Sequence, residues 1–278
     1  MKIIDSHQHF WQFDPQRDAW IDDTMRILQR DFMPQDIAPI YAQNKVVGSI
    51  AVQADTSEAE TSFLLDLAQK NPLILGVVGW ADFTQSQVEE TLEKFSDQPS
   101  LKGYRHIVQK EPNGFLDRKD FRAGIQKLAA YDYSYDLLVF PHQLEETIRF
   151  VKAFPNHRFV LDHLAKPYIK KKEISPWKEH LQKLAAFPNV SCKVSGMVTE
   201  ADWQNWKFND FIPYLDIVTD AFGTDRLLFG SDWPVCLLGG RFEKILQLAL
   251  SYYASFSTQE QEAIFYGNAQ RFYKVNEK

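Results

Sequence analysis

Short apolar runs recur along the chain, separated by amphipathic stretches. Eight of the runs read as strands: Lys2–Asp5, Val46–Gln53, Ile74–Trp80, Leu101–His106, Tyr135–Phe140, Phe159–His163, Val190–Val194 and Leu227–Gly230. Most are apolar throughout, as strands buried on both faces of a parallel sheet are. Between them, apolar residues recur three and four apart, the helical period. Phe121, Ile125 and Leu128 form one such stripe, and Leu144, Ile148 and Val151 another. Ile212, Leu215, Val218 and Phe222 form a third; Phe242, Ile245, Leu246 and Ala249 form a fourth. Ser57 to Glu60 and Ser257 to Glu260 read as capping boxes at helix starts. Asn268 reads as the cap of a last short helix holding Arg271 and Phe272.

Eight strand-then-helix units in one unbroken chain predict an α/β fold: a single-domain TIM-type (β/α)8 barrel spanning residues 1–278. An open doubly wound sheet fits less well, because no Gly-rich phosphate loop follows the first strand. Residues 10–39 break the rhythm. This segment carries Trp11 and Trp20, and in a barrel it is a long βα loop over the active-site face.

Composition narrows the partners. The 278 residues are 45% hydrophobic and carry a formal charge of −6, so no basic surface points to a nucleic-acid partner. The run Lys170-Lys171-Lys172 reads as a solvated loop. Cys192 and Cys236 lie in apolar stretches and read as buried thiols of a reducing compartment. The opening Met1-Lys2-Ile3-Ile4-Asp5 lacks the apolar run of a signal peptide, and no stretch is long enough to span a bilayer. The expectation is a cytoplasmic protein with no membrane partner. A homo-oligomer is compatible with the sequence but not required by it.

Three clusters carry the chemistry. In Asp5-Ser6-His7-Gln8-His9, strand alternation turns His7 and His9 to one side, their Cα atoms about 6.6–6.8 Å apart. Two imidazoles so placed converge on one ion, water or carbonyl oxygen. Leu161 to Pro167 ends another strand and brings His163, then Lys166, to the barrel mouth. Leu228 to Pro234 places Asp232 after the eighth strand, beside the first if the barrel closes. There a carboxylate can act as a general base, a metal ligand or merely a turn cap.

Weaker candidates surround these. Trp80, Trp233 and Trp11 read either as ordinary packing or as flat faces that a ring-shaped ligand could stack on. His142 follows the fifth strand, and Lys193 reads as facing inward to bind hydroxyls or a carboxylate. His157 and His180 sit in polar sequence and read as surface residues.

The HxH of the first strand, the Asp-His-x-x-x-Lys-Pro segment and the Gly-Ser-Asp-Trp-Pro segment resemble the amidohydrolase superfamily. Leu101 to His106, Lys193 to Gly196 and Gly267 to Ala269 narrow the likeness to its sugar-lactonase branch, which includes the L-fuconolactonase- and L-rhamnonolactonase-like enzymes. The resemblance runs from residue 3 to residue 273. It implies a hydrolase that opens a small sugar lactone. In that reading His7, His9 and His163 hold the water or carbonyl, Asp232 is the base, and Arg105 and His106 bind substrate. No bridging lysine or acid ends the fourth strand, so a two-metal site is not expected. His7, His9, His163 and Asp232 suit one divalent ion, zinc foremost, while metal-free catalysis stays open. With Lys166 and Lys193, these polar residues suit a polyhydroxylated or anionic ligand. Two other readings remain: a zinc-dependent decarboxylase of the same superfamily and a non-catalytic sugar-binding barrel.

Overall fold

The computed structural model describes residues 1–276. Its strands are β1 (Ile3–Gln8), β2 (Val46–Val52), β3 (Ile74–Gly79), β4 (Leu101–His106), β5 (Ser134–Leu137), β6 (Phe159–Leu161), β7 (Val190–Val194) and β8 (Leu227–Phe229). They pair in chain order, each parallel to the next. Closure between β8 and β1 is made by a parallel bridge of Gln8 to Trp233, with bonds from His9 N to Trp233 O (2.7 Å) and from Asp232 N to His7 O (2.8 Å). The barrel therefore seals at its C-terminal end. All eight expected strands form. β1 runs three residues past its expected end, to Gln8, while β2, β3, β5, β6 and β8 stop one to three residues early, where the chain turns out of the sheet to build the mouth.

The connecting helices are α1 (Pro34–Gln43), α2 (Glu58–Lys70), α3 (Val88–Lys94), α4 (Lys119–Leu128), α5 (Leu144–Ala153), α6 (Trp177–Ala185), α7 (Ile212–Phe222) and α8 (Phe242–Tyr253). Two short helices follow, α9 (Thr258–Glu262) and α10 (Asn268–Tyr273). The four apolar stripes lie on α4, α5, α7 and α8 and turn into the main core between sheet and helices. Ser257 and Glu260 form the full reciprocal box. At α2 only half of it forms: Ser57 caps Glu60 N, but the Glu60 carboxylate reaches Ala54 N instead. Asn268 is itself helical and is not a cap. Its side-chain amide donates to Thr224 O and Leu227 O, tying α10 to the start of β8. Residues 34–39 of the long βα segment belong to α1, where Pro34 at the first turn loses no hydrogen bond.

A second, smaller core fills the lower barrel: Ile4, Ile50, Val52, Val78, Val160 and Leu228, plugged from below by Ala269 and Tyr273 of α10. Both cysteines are buried and unpaired. Lys170, Lys171 and Lys172 are exposed. Among the described residues no helix is long and apolar enough to cross a membrane.

Candidate active site

The site begins with an irregularity in β1. Asp5 pairs with Ser49 and Gln8 with Ala51, so β1 carries one residue more than β2 between them. This bulge reverses the facing of residues two apart. Asp5 points outward to Tyr41 of α1 (2.8 Å), while His7 and His9 both turn inward. His9 Nδ1 lies 2.7 Å from the Val52 carbonyl, which only accepts, so Nδ1 donates there and Nε2 is the nitrogen turned to the site.

His163 follows β6 in a left-handed turn. His163, Leu164, Ala165 and Lys166 all have φ between 50° and 58°. Such backbone costs about 1–2 kcal/mol per L-residue and persists only where packing over-determines it. Here Leu164 and Ala165 are buried, and Trp177 Nε1 donates to Leu164 O at 2.7 Å. The turn aims both His163 and Lys166 into the cavity. His163 Nδ1 meets Ser195 Oγ at 2.8 Å. Gly196 (φ +62°) lies against the same ring, where a Cβ would stand 2.5 Å from Nδ1.

Asp232 also has positive φ (58°), a conformation aspartate tolerates better than most residues. Its place is set by Asp5. The Asp5 carboxylate accepts from Ser231 N (2.8 Å), Ser231 Oγ (2.5 Å), Tyr41 Oη (2.8 Å) and His7 N (3.2 Å). One buried acid thus pins the β8 end to the β1 end.

The four expected residues do converge. Asp232 Oδ1 lies 3.4 Å from His9 Nε2, 3.8 Å from His163 Nε2 and 3.9 Å from His7 Nε2. His7 Nε2 and His9 Nε2 are 3.2 Å apart. Burial alone would raise the Asp232 carboxyl, but His163, His9 and Lys166 outweigh it and hold the group below its usual value. Burial pushes His163 down to about 4 against the opposing pull of Asp232, and burial with the Lys193 ammonium puts His7 well below its ordinary value. At neutral pH the Asp232 carboxylate therefore faces the uncharged rings of His7 and His163, with His9 Nε2 beside them. Zinc holds tetrahedral N and O ligands at about 2.0–2.2 Å, which separates them by about 3.3–3.5 Å. His7, His9 and Asp232 meet that spacing closely enough to hold one ion.

Beneath lies a charged layer. Lys193 Nζ is 2.5 Å from Asp136 Oδ2, 2.9 Å from Asp162 Oδ1 and 3.0 Å from His7 Nδ1. Arg105 Nη1 is 3.0 Å from Asp162 Oδ2 and 3.3 Å from His7 Nε2, and its Nη2 donates to Gln53 O. Burial would raise Asp162, yet Lys193, His7 and Arg105 hold it well below the carboxylate range. His7, Asp162 and His163 also lie within metal-ligand reach of one another. With Asp162 already neutralised by two fixed cations, that group does not fit a second metal ion.

Above the floor opens a cleft of about 600 Å³, its mouth included. His9, Arg105, His163, Lys166 and Asp232 line it, with Trp11 and Trp20 from the long βα segment. Other expected site residues lie elsewhere. His106 does not reach the cleft: adjacent strand residues face opposite ways, so with Arg105 inside, His106 points out, stacked on Phe115 and bonded to Glu111 (2.7 Å). Trp80 follows it outward, its Nε1 donating to His106 Nδ1. Trp233 is buried behind the site, edge-on to Phe32 and Phe10. His142 is exposed on a one-turn helix and stacks on Phe140. Lys193 is fully buried among carboxylates rather than open to substrate. His157 is buried against Phe159, not on the surface, while His180 is partly buried. Sequence reading missed Asp5, Asp136 and Asp162; the first two are acids inside strands and the third directly follows one, a pattern that marks a paired buried charge. It also missed Gln109 and Lys110 on the cleft wall.

The family model described as "Amidohydrolase" matches residues 4–275. The L-fucono-1,5-lactonase of Burkholderia multivorans is 39% identical over 99% of this chain and 96% of its own length. The L-fucono-1,5-lactonase of Burkholderia ambifaria is 34% identical over 98% of this chain and 96% of its own. A crystal structure of a Burkholderia multivorans amidohydrolase with bound Zn aligns with a TM-score of 0.95 at 39% identity, covering 99% of this chain and 100% of that one. With the HxH strand, the left-handed His163 turn and Asp232 all inside the matched residues, this chain belongs to the amidohydrolase family.

Proposed function

We propose that the protein is a lactonase that hydrolyses a sugar-acid 1,5-lactone, with L-fucono-1,5-lactone as the first substrate to try. One observation carries the reading: an ionised Asp232 carboxylate faces the imidazoles of His7, His9 and His163 at the base of a cleft, in a chain whose curated relatives at 34% and 39% identity are named lactonases. Asp232 takes a proton from water as the oxygen attacks the lactone carbonyl. Arg105 and the imidazoles are placed to stabilise the oxyanion, often the largest single contribution to catalysis. The ring C–O bond then breaks, and the proton held by Asp232 passes to the tethered alkoxide. No nucleophilic side chain is needed. His7, His9 and Asp232, with His163 beside them, would hold one zinc ion, which when bound supplies Lewis-acid polarisation of the carbonyl. Lys166, Gln109 and Lys110 face the cleft and suit the sugar hydroxyls, and Trp11 and Trp20 suit its apolar face. A decarboxylase has no comparable support, since neither of these relatives is named as one. The buried free thiols suit a reducing compartment, and we place the enzyme in the cytoplasm.

The test is an aldonolactone panel followed by acid release at constant pH, with wild type and Asp232→Asn. Turnover by wild type and a loss of about 10²–10⁴-fold in the variant are expected. Failure of wild type on every lactone would sink the substrate class; near-normal turnover by Asp232→Asn would sink the base.

A further inference from the structure

We propose that Lys193 is a positioning residue: its ammonium group, anchored from below by Asp136 and Tyr273, clamps the His7 ring so that Nε2 faces Asp232. The kinetic part of this inference rests on the lactonase reading; the structural part does not.

Lys193 sits on β7 beneath the cleft, fully buried, and is not among the residues that line it. Its Nζ approaches His7 Nδ1 at 3.0 Å, while Asp162 Oδ1 stands 3.2 Å from the same ring nitrogen. Nδ1 either accepts from the ammonium or donates to the carboxylate, and these two groups are themselves paired at 2.9 Å, so the far edge of the imidazole is held between them and Nε2 is left one direction, toward His9 and Asp232. The ammonium is itself fixed. Asp136 Oδ2 accepts from it at 2.5 Å and from Tyr273 Oη at 2.7 Å, and the Tyr273 ring lies 5.5 Å below Nζ. A chain of contacts thus runs from the C-terminal helix α10, through β5 and β7, to the HxH strand.

The layer is electrically closed. Lys193 and Arg105 balance Asp136 and Asp162, all four essentially out of water. Burying such a set costs desolvation that its mutual attraction barely offsets, and apolar replacements of similar volume are often as stable. Stability alone does not explain why four charges occupy positions that barrels usually fill with branched apolar side chains. Holding an imidazole by its second nitrogen does: partners behind a working histidine typically affect function 10–100-fold without touching the ligand.

The two explanations separate in a pair of variants. Lys193→Met keeps the length but leaves one buried carboxylate unbalanced. Asp136→Asn combined with Lys193→Met restores neutrality, leaving only the Arg105–Asp162 pair, yet still lacks the clamp. Melting temperature, kcat, KM and the ring ¹⁵N resonances of His7 in histidine-labelled protein are measured for both. Positioning predicts that Lys193→Met loses melting temperature and about 10–100-fold in kcat, with KM within twofold of wild type. The double variant then recovers melting temperature but not kcat, and His7 resonances stay displaced in both. Recovery of kcat together with melting temperature in the double variant would overturn the proposal, as would unmoved His7 resonances or wild-type kcat in Lys193→Met. If Lys193→Met fails to fold, the neutral double variant carries the test. A wild type inactive on all lactones sinks only the functional reading; the His7 resonances still judge the clamp.

Discussion

Gly196→Ala concentrates the structural claims about His163 in one methyl group. The backbone there has φ +62°, and placing an L-residue in that region costs about 1–2 kcal/mol. The new Cβ would lie 2.5 Å from His163 Nδ1, 2.6 Å from Cγ and 2.8 Å from Cβ, where ordinary contact begins near 3.4 Å. The ring must retreat by roughly 1 Å, which breaks its 2.8 Å bond to Ser195, a further loss of about 1 kcal/mol. The sum is about 2–3 kcal/mol, or roughly 5–10 °C in melting temperature for a chain of this size. A 1 Å misplacement of a catalytic group costs on the order of 10²-fold in rate. Gly114→Ala is the control: φ is +89° but nothing lies within 4 Å, so the variant carries backbone strain alone. Calorimetry and lactone turnover on both variants make the comparison. Both lose stability, while only Gly196→Ala loses kcat. If Gly196→Ala turns over at nearly the wild-type rate, His163 either tolerates the displacement or has no part in the reaction.

The pH profile follows from the same site. Asp232 is held below its usual value and burial puts His163 at about 4, so activity is present above both and lost as pH falls through them. The acid limb of kcat/KM is expected at about pH 4 or below, whereas a limb at the ordinary histidine value of 6.5 would show that a charged imidazole is being lost or gained. Zinc-loaded, desalted protein should carry one equivalent by elemental analysis and less in His9→Ala; two equivalents would contradict the neutralisation of Asp162 by Lys193 and Arg105. Trp20→Ala removes a half-buried ring from the cleft and should raise KM about 2–10-fold at steady kcat. A fall in kcat at unchanged KM would argue against a binding role for that ring.

Much of the architecture could be read locally. A strand buried on both faces is mostly apolar along its length, so β2, β3, β6 and β8 stand out against the amphipathic helices. The HxH pair and Asp232 were legible because a barrel brings the ends of its first and last strands together. The exclusion of His106 was legible too: alternation along β4 admits only one of Arg105 and His106 to the interior. Other features depended on groups far apart in the chain. The bulge that turns Asp5 outward and His7 inward arises from the register of β1 on β2. Asp5 meets Ser231 across 226 positions, and Lys193 meets His7 across 186. Local periodicity records which way a side chain faces and whether water touches it. It does not record which distant charge will balance a buried one, because that depends on strand order, register and closure acting together. The amino-acid sequence by itself determined the barrel and the chemical types at its mouth; tertiary packing alone decided which imidazole edge, carboxylate and ammonium would meet.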